Sequence, residues 1–191
     1  MRKIVFDIET TNFFHDVGKN DPSLLDLAVI GIYDFSEDKY STFEQNELPS
    51  LWQILGKTDL LIGFNSDHFD IPLLNKYCPN DITKIKSLDL LKEVRNSCGK
   101  RIGLGHLAES TLGVGKSSDG IQAVEWWRKG EKEKVKEYCI QDVKVTKELY
   151  EYALKNKCVL SREGQKVVTI PLETSKWSEI NEFSFTQSLP F

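Results

Sequence analysis

Five side chains of this 191-residue sequence are of types that could do chemistry together: Asp7, Glu9, Asp70, Tyr138 and Asp142. Asp7 and Glu9 stand two apart in the apolar run Lys3-Ile4-Val5-Phe6-Asp7-Ile8-Glu9. On a strand, that spacing sends both carboxylates off one face and Ile4, Phe6 and Ile8 off the other. Alone, such a pair is ordinary, and a solvated strand edge accounts for it. Asp142 is more unusual. Val135, Cys139, Asp142, Thr146, Leu149 and Ala153 follow alternating four- and three-residue steps, which is one face of a helix. A carboxylate in that mostly apolar stripe needs a cationic partner, because burying it unpaired costs on the order of several kcal/mol. An arginine in a structural ion pair would serve, and so would a metal ion. Tyr138, four residues earlier, lies beside Asp142 on the same face.

Asp70 closes the stretch Gly63-Phe64-Asn65-Ser66-Asp67-His68-Phe69-Asp70. A buried strand ends here and a short helix begins, and the carboxyl ends of strands are where open α/β sheets build sites. Asp70 and Asp67 could each favour the helix N-terminus electrostatically, and pattern alone prefers Asp70. Acids from three separate elements could converge on one point. Carboxylates that close raise one another's pKa unless cations neutralise them. An all-oxygen ligand set selects Mg²⁺ or Mn²⁺. Two such ions about 3.5–4 Å apart can activate a water and stabilise a leaving oxygen in phosphodiester cleavage.

The elements that must position these residues are legible from periodicity. Residues 2–9, 27–33, 40–43, 59–64 and 84–88 read as five strands, the first three with short links that suggest an antiparallel meander. Pro49 opens a helix whose buried face holds Leu51, Trp52, Ile54 and Leu55. A short helix is expected from Phe69 to Tyr77, and another from Leu90, capped by Asp89. Further helices are expected over Leu104–Leu112, Ile121–Arg128 and Lys132–Leu154, with a loop from Gly113 to Gly120. Strands followed by strand–helix alternation and then helices indicate an α/β domain, a mixed five-stranded sheet flanked by helices, over residues 1–157. Residues 158–177 read as an appended C-terminal β-hairpin around Arg162-Glu163-Gly164, and 178–191 as a tail of little periodicity.

Composition narrows the classes. The length suits one domain with a continuous core, and 28% charged residues is ordinary for a soluble protein. A net charge of −4 offers no global basic field, which argues against a nonspecific nucleic-acid coat but not against an enzyme that meets phosphates through cations. Cys78, Cys98, Cys139 and Cys158 form no C-x-x-C pair, so a zinc site or disulfide framework is not expected and a reducing cytoplasm fits. No run of about eighteen apolar residues suggests a membrane span, and the early Asp7 speaks against a signal peptide.

The acids and their neighbours resemble the motifs of the DEDD (DnaQ-like) exonuclease superfamily, which has a ribonuclease H-like fold. Phe6-Asp7-Ile8-Glu9-Thr10 is similar to its first motif. Asn65-Ser66-Asp67-His68-Phe69-Asp70 resembles the N-x-x-x-F-D of family-B polymerase proofreading domains. Tyr138-Cys139-Ile140-Gln141-Asp142 resembles the helical Y-x-x-x-D of the tyrosine (DEDDy) subclass, since the histidine subclass would need His where this chain has Glu137. Gly103-Leu104-Gly105-His106-Leu107-Ala108 and Ser118-Asp119-Gly120-Ile121-Gln122-Ala123 are similar to the YprB-like bacterial branch. The resemblance implies 3′–5′ exonucleolytic cleavage of DNA or RNA, releasing nucleoside monophosphates. It implies that Asp7, Glu9, Asp70 and Asp142 hold two divalent ions, Mg²⁺ or Mn²⁺, and that Tyr138 orients the attacking water. Thr10, Asn65, His68 and Phe69 become candidates for substrate contact. Nucleic acid is the implied partner, with room for a helicase or polymerase alongside and no membrane.

Other features have plainer readings. Trp126-Trp127 could stack on bases, but on a helix one core and one partly exposed aromatic is the simpler assignment. His15 and His106 read as ordinary loop or helix residues. Gly113-Val114-Gly115-Lys116-Ser117 lacks phosphate-loop spacing and a preceding strand. Lys84, Lys86, Lys92, Arg95, Lys100 and Arg101 make the middle segment basic, either as a solvated face or as a track for a nucleic-acid backbone. Two other functions fit the same residues: a catalytically silent nucleic-acid-binding or partner-docking module, and a structure-specific endonuclease using the same metals.

Overall fold

A computed structural model describes residues 1–115 and 120–178. Lys116, Ser117, Ser118 and Asp119, which belong to the glycine-rich stretch and the last of the motifs above, lie outside the described residues, as does the tail beyond Ser178.

The order of elements is β1 (Lys3–Thr10), α1 (Phe14–Val17), β2 (Leu27–Asp34), β3 (Lys39–Glu44), α2 (Leu48–Leu55), β4 (Leu60–Gly63), α3 (Asp70–Asn75), β5 (Lys86–Asp89), α4 (Leu90–Cys98), α5 (Leu104–Leu112), α6 (Gly120–Arg128), α7 (Lys132–Asn156), β6 (Cys158–Glu163) and β7 (Lys166–Pro171). Five strands form one mixed sheet in the order β3-β2-β1-β4-β5. The pairs β1–β2 and β2–β3 are antiparallel, and β1–β4 and β4–β5 are parallel. The short links after β2 allow a meander, whereas the helical crossovers before β4 and β5 return the chain in parallel.

Strand β1 is central, and its alternation divides the core. Ile4, Phe6 and Ile8 face a cluster with Leu51, Trp52 and Leu55 of α2 and Leu73 and Leu74 of α3. Val5 faces the opposite cluster, which holds Val143, Leu149 and Tyr150 of α7 and Leu107 of α5. Asp7 and Glu9 share the side of Val5, the α7 side. Among the described residues, no helix is long and apolar enough to cross a membrane.

Boundaries shift where local hydrogen bonds compete with the expected element. Strand β5 starts at Lys86 rather than Lys84, because Ile82–Lys84 makes a 3₁₀ turn with the Asp81 side chain accepting from Thr83 N. Helix α3 ends at Asn75, two residues before Tyr77, and the Asn75 side chain accepts from Ile82 N at 3.0 Å. Helix α7 runs on to Asn156 and stops where Lys157 adopts φ +58° and its N–H reaches Ala153 O at 2.8 Å. The C-terminal β6–β7 pair is a separate two-stranded antiparallel sheet. Its apolar side enters the main core: Val159, Ile170, Leu172 and Trp177 all join the cluster around α7. Trp177 stacks on Tyr150 and donates Nε1–H to Glu93 at 3.0 Å.

Candidate metal centre

Asp7 and Glu9 leave β1 toward α7, and Asp142 meets them from the middle of that helix. Each of the three offers a carboxylate oxygen, and these oxygens lie within 4.8 Å of one another. Helix α7 comes close because Gly31 on β2 has no side chain. A Cβ there would sit 2.9 Å from Cys139 Sγ and 3.2 Å from Val143 Cγ2. The Cys139 thiol lies 3.3 Å from the Asp7 carbonyl oxygen and 3.6 Å from Asp7 Oδ2, so it serves as a donor under the first acid.

Asp70 arrives from the other edge of β1. Parallel pairing with β4 covers only Lys3 to Val5, so the strand runs past its neighbour. The free N–H of Ile8 donates to Asp70 Oδ1 at 3.0 Å, which fixes that carboxylate beside the cluster. The turn before α3 is compact. Phe69 N donates to Asn65 O at 3.0 Å, Ile71 N to Ser66 O at 2.9 Å, and Asn65 takes the left-handed φ of +64° that asparagine tolerates. Gly63 is required at its entrance, since a Cβ would fall 2.4 Å from Ser66 Cβ. Asp67, the rival acid, is committed elsewhere: Ser87 Oγ and Lys92 Nζ both donate to it at 2.7 Å.

The electrostatics are one-sided. Burial first, then Asp142 and Asp70, push the Asp7 carboxyl well above its ordinary range. Burial, then Asp7, Asp142 and Asp70, do the same to Glu9. Burial pushes Asp70 up to about 7, despite the Ile8 N–H that favours its ionised form. Among the described residues, no Lys or Arg makes a salt bridge with Asp7, Glu9 or Asp70, so the structural ion pair is not how these acids are held. Buried, mutually repelling carboxylates on rigid elements are the donor set that a hard divalent cation neutralises, and they fit such an ion.

Tyr138 closes the α7 side of the cluster. Its hydroxyl hydrogen-bonds Asp142, and burial followed by the Asp142, Glu9 and Asp7 charges keeps it protonated. Trp126 of α6 packs edge-on against the Tyr138 ring, with centroids 6.2 Å apart. Both tryptophans are only partly buried, so neither is the core residue expected; Trp127 lies under Lys132 Nζ at 4.6 Å from its centroid. The four substrate candidates separate. Thr10 is buried at an irregularity in the β1–β2 register, and its hydroxyl donates to Asn12 O. Phe69 packs edge-on against Phe14 on the apolar side of the sheet. Asn65 and His68 face a neighbouring cleft instead. His106 accepts or donates to Ser161 Oγ at 3.1 Å and joins α5 to the hairpin.

Cys139, Gly31 and Gly63 shape the site without standing out in the sequence. Only the helical phase of Cys139 hints at its place; Gly31 is required by the approach of a distant helix, and Gly63 by Ser66 three residues on.

Residues 4–154 match the RNase H superfamily. No curated protein matches the sequence significantly. Among solved structures, the chain is similar to the family B DNA polymerase from the hyperthermophilic archaeon Pyrobaculum calidifontis, with a TM-score of 0.62 and 21% identity. That similarity covers 81% of this chain and 24% of the polymerase, so it speaks to the fold of one portion of a much longer protein. The family match and the mixed sheet agree on an RNase H-like fold, and the acidic cluster is a set of groups that could hold a metal ion. With more than three quarters of its residues matched, the chain belongs to the RNase H superfamily.

Proposed function

We propose that the protein is a metal-dependent 3′–5′ exonuclease of the tyrosine (DEDDy) type, acting on single-stranded DNA or RNA. One observation carries the reading: carboxylate oxygens of Asp7, Glu9 and Asp142 lie within 4.8 Å of one another, with Asp70 held beside them by the Ile8 N–H, a buried donor set that a divalent cation would neutralise. Asp7, Glu9, Asp70 and Asp142 would hold two divalent ions between them, with Asp70 positioned by the Ile8 N–H. When bound, Mg²⁺ or Mn²⁺ lowers the pKa of the attacking water and stabilises charge on the leaving oxygen.

The chain's own groups supply positioning. Tyr138, kept neutral, donates a hydrogen bond to Asp142 and leaves lone pairs that accept a hydrogen bond from water, so it aligns the nucleophile without acting as its base. Cys139 and the Ile8 N–H hold Asp7 and Asp70 in register with the sheet. Water adds to the terminal phosphorus as the P–O3′ bond breaks. The products are a nucleoside 5′-monophosphate and a strand one nucleotide shorter, ending in a 3′-hydroxyl.

The test uses 5′-labelled linear oligonucleotides and a closed single-stranded circle, each of DNA and RNA, with Mn²⁺ or Mg²⁺. A ladder shortened from the 3′ end and an intact circle are expected. Nicking of the circle would establish an endonuclease instead, and no metal-dependent product from any substrate would leave a silent binding module.

A further inference from the structure

The turn that delivers Asp70 to the carboxylates also forms a wall of a cleft of about 620 Å³ between residues 65–68 and helix α4. The basic run that flanks and enters α4 is sorted by the fold. Lys86 donates to the backbone carbonyl of Lys176, and Lys100 pairs with Glu163 on the hairpin at 2.6 Å. Lys92, Arg95 and Arg101 instead line the cleft, together with Asn65, His68 and Asn96.

Two acids also border this space, and both are already engaged. Asp89 accepts from the backbone N–H groups of Asn65, Asp67, Leu91 and Lys92 at 2.8–3.3 Å. This clamps the turn to the start of α4 and takes up the Leu91 and Lys92 N–H groups of that helix end. Asp67 takes Ser87 and Lys92. Arg95 and Arg101 remain, both exposed and, among the described residues, in no salt bridge. Their neighbours Asn65, His68 and Asn96 carry side-chain N–H groups able to donate. A chain net-negative by four charges thus keeps two uncommitted guanidinium groups in one concavity next to its acidic centre.

Guanidinium forks match phosphate oxygens in charge and geometry, and a polynucleotide presents a phosphate at every residue. Resting on the nuclease reading above, we propose that this cleft binds the phosphodiester backbone of the strand on the 5′ side of the nucleotide being removed. Arg95 and Arg101 make the phosphate contacts, and Asn65 and His68 line the passage toward Asp70. The ligand class is single-stranded nucleic acid, read by its backbone rather than its bases, so DNA and RNA are both accepted there.

The test compares wild type, the Arg95→Ala/Arg101→Ala double variant and Lys100→Ala as a control outside the cleft. Two measurements are made: anisotropy of a labelled single-stranded oligonucleotide across a salt series, and steady-state hydrolysis with Mn²⁺ of that oligonucleotide and of the p-nitrophenyl ester of a nucleoside 5′-monophosphate. The ester has no upstream phosphodiester to place in the cleft. The double variant is expected to bind the oligonucleotide on the order of tenfold more weakly, with a salt slope shallower by about 1.4, twice the ~0.7 per phosphate of single strands. Its kcat/KM should fall on the oligonucleotide and stay at the wild-type level on the ester, while Lys100→Ala matches wild type throughout. Unchanged oligonucleotide affinity and salt slope would overturn the cleft, and so would an equal loss on both substrates, which would mean that the arginines shape the metal centre. If wild type hydrolyses neither substrate the nuclease reading fails, and the anisotropy series still decides for or against the cleft.

Discussion

Asp142 is only 8% exposed on a stripe of α7 otherwise filled by Val135, Cys139 and Leu149, with two further carboxylates in reach. Removing its charge should relieve repulsion while leaving an acceptor for Tyr138. Asp142→Asn is therefore expected to raise the melting temperature in EDTA by about 2–4 °C, corresponding to roughly 1 kcal/mol for a domain of this size. Scanning calorimetry checks it, and the same variant should lose nuclease activity. The acids also set a pH dependence. Asp7, Glu9 and Asp70 have folded pKa values above their unfolded ones, so the apo fold binds more protons than the unfolded chain in between. The destabilisation is fully present above the folded pKa, about 7 for Asp70, and disappears as pH falls toward 3.8. Thermal scans in EDTA should show the protein more stable at mildly acidic pH than at mildly alkaline pH. Saturating Mn²⁺ should remove that gain, because the cation replaces the protons. At this scale the sequence was informative where a residue broke a pattern. Asp142 in an apolar stripe stands out by itself, whereas in the sequence only pattern, not physics, separates Asp70 from Asp67, and the fold adds the physical reason by engaging Asp67 with Lys92 and Ser87.

Strands and helices were largely legible because apolar residues recur at periods that only one kind of element can bury. What periodicity could not carry was contact between elements. Gly31 reads as a weak point in a buried strand, yet it is what admits α7 to the sheet. Gly63 reads as a strand end, yet it makes room for Ser66 in the turn that sets Asp70. Asp89 was legible as a helix cap, but its second task, holding the 65–67 turn, joins residues more than twenty apart. The Gly63→Ala substitution should force that turn outward, costing about 1–3 kcal/mol as an overpacking strain. Urea unfolding reads the stability, and a Mn²⁺ titration of the folded fraction should show weakened binding as Asp70 moves. Ser66→Ala should do the opposite. Its hydroxyl is fully buried with no hydrogen-bond partner among the described residues, so its removal is expected to be neutral or stabilising by up to about 1 kcal/mol.

Across the whole molecule, the sheet holds its acids at the point where β1 outruns β4, and helices α6 and α7 pack against β1 beside it. The hairpin reads in sequence as an addition because its own alternation is short and its partners are far away. In the fold, Val159, Ile170, Leu172 and Trp177 share a cluster with α4, α5 and α7. Ending the chain at Lys157 should strip four buried apolar side chains from that core and cost on the order of 6 kcal/mol or more, at roughly 1.5–3 kcal/mol for each. Denaturant unfolding of the truncated chain should show the loss, together with a broadened transition.

The central claim is that Asp7, Glu9, Asp70 and Asp142 are metal ligands, and isothermal titration of Mn²⁺ into the metal-free protein tests it most directly. Two ions per chain are expected, with proton release on binding and a marked loss of affinity in Asp142→Asn. No binding by the wild type, or binding that Asp142→Asn leaves unchanged, would contradict it.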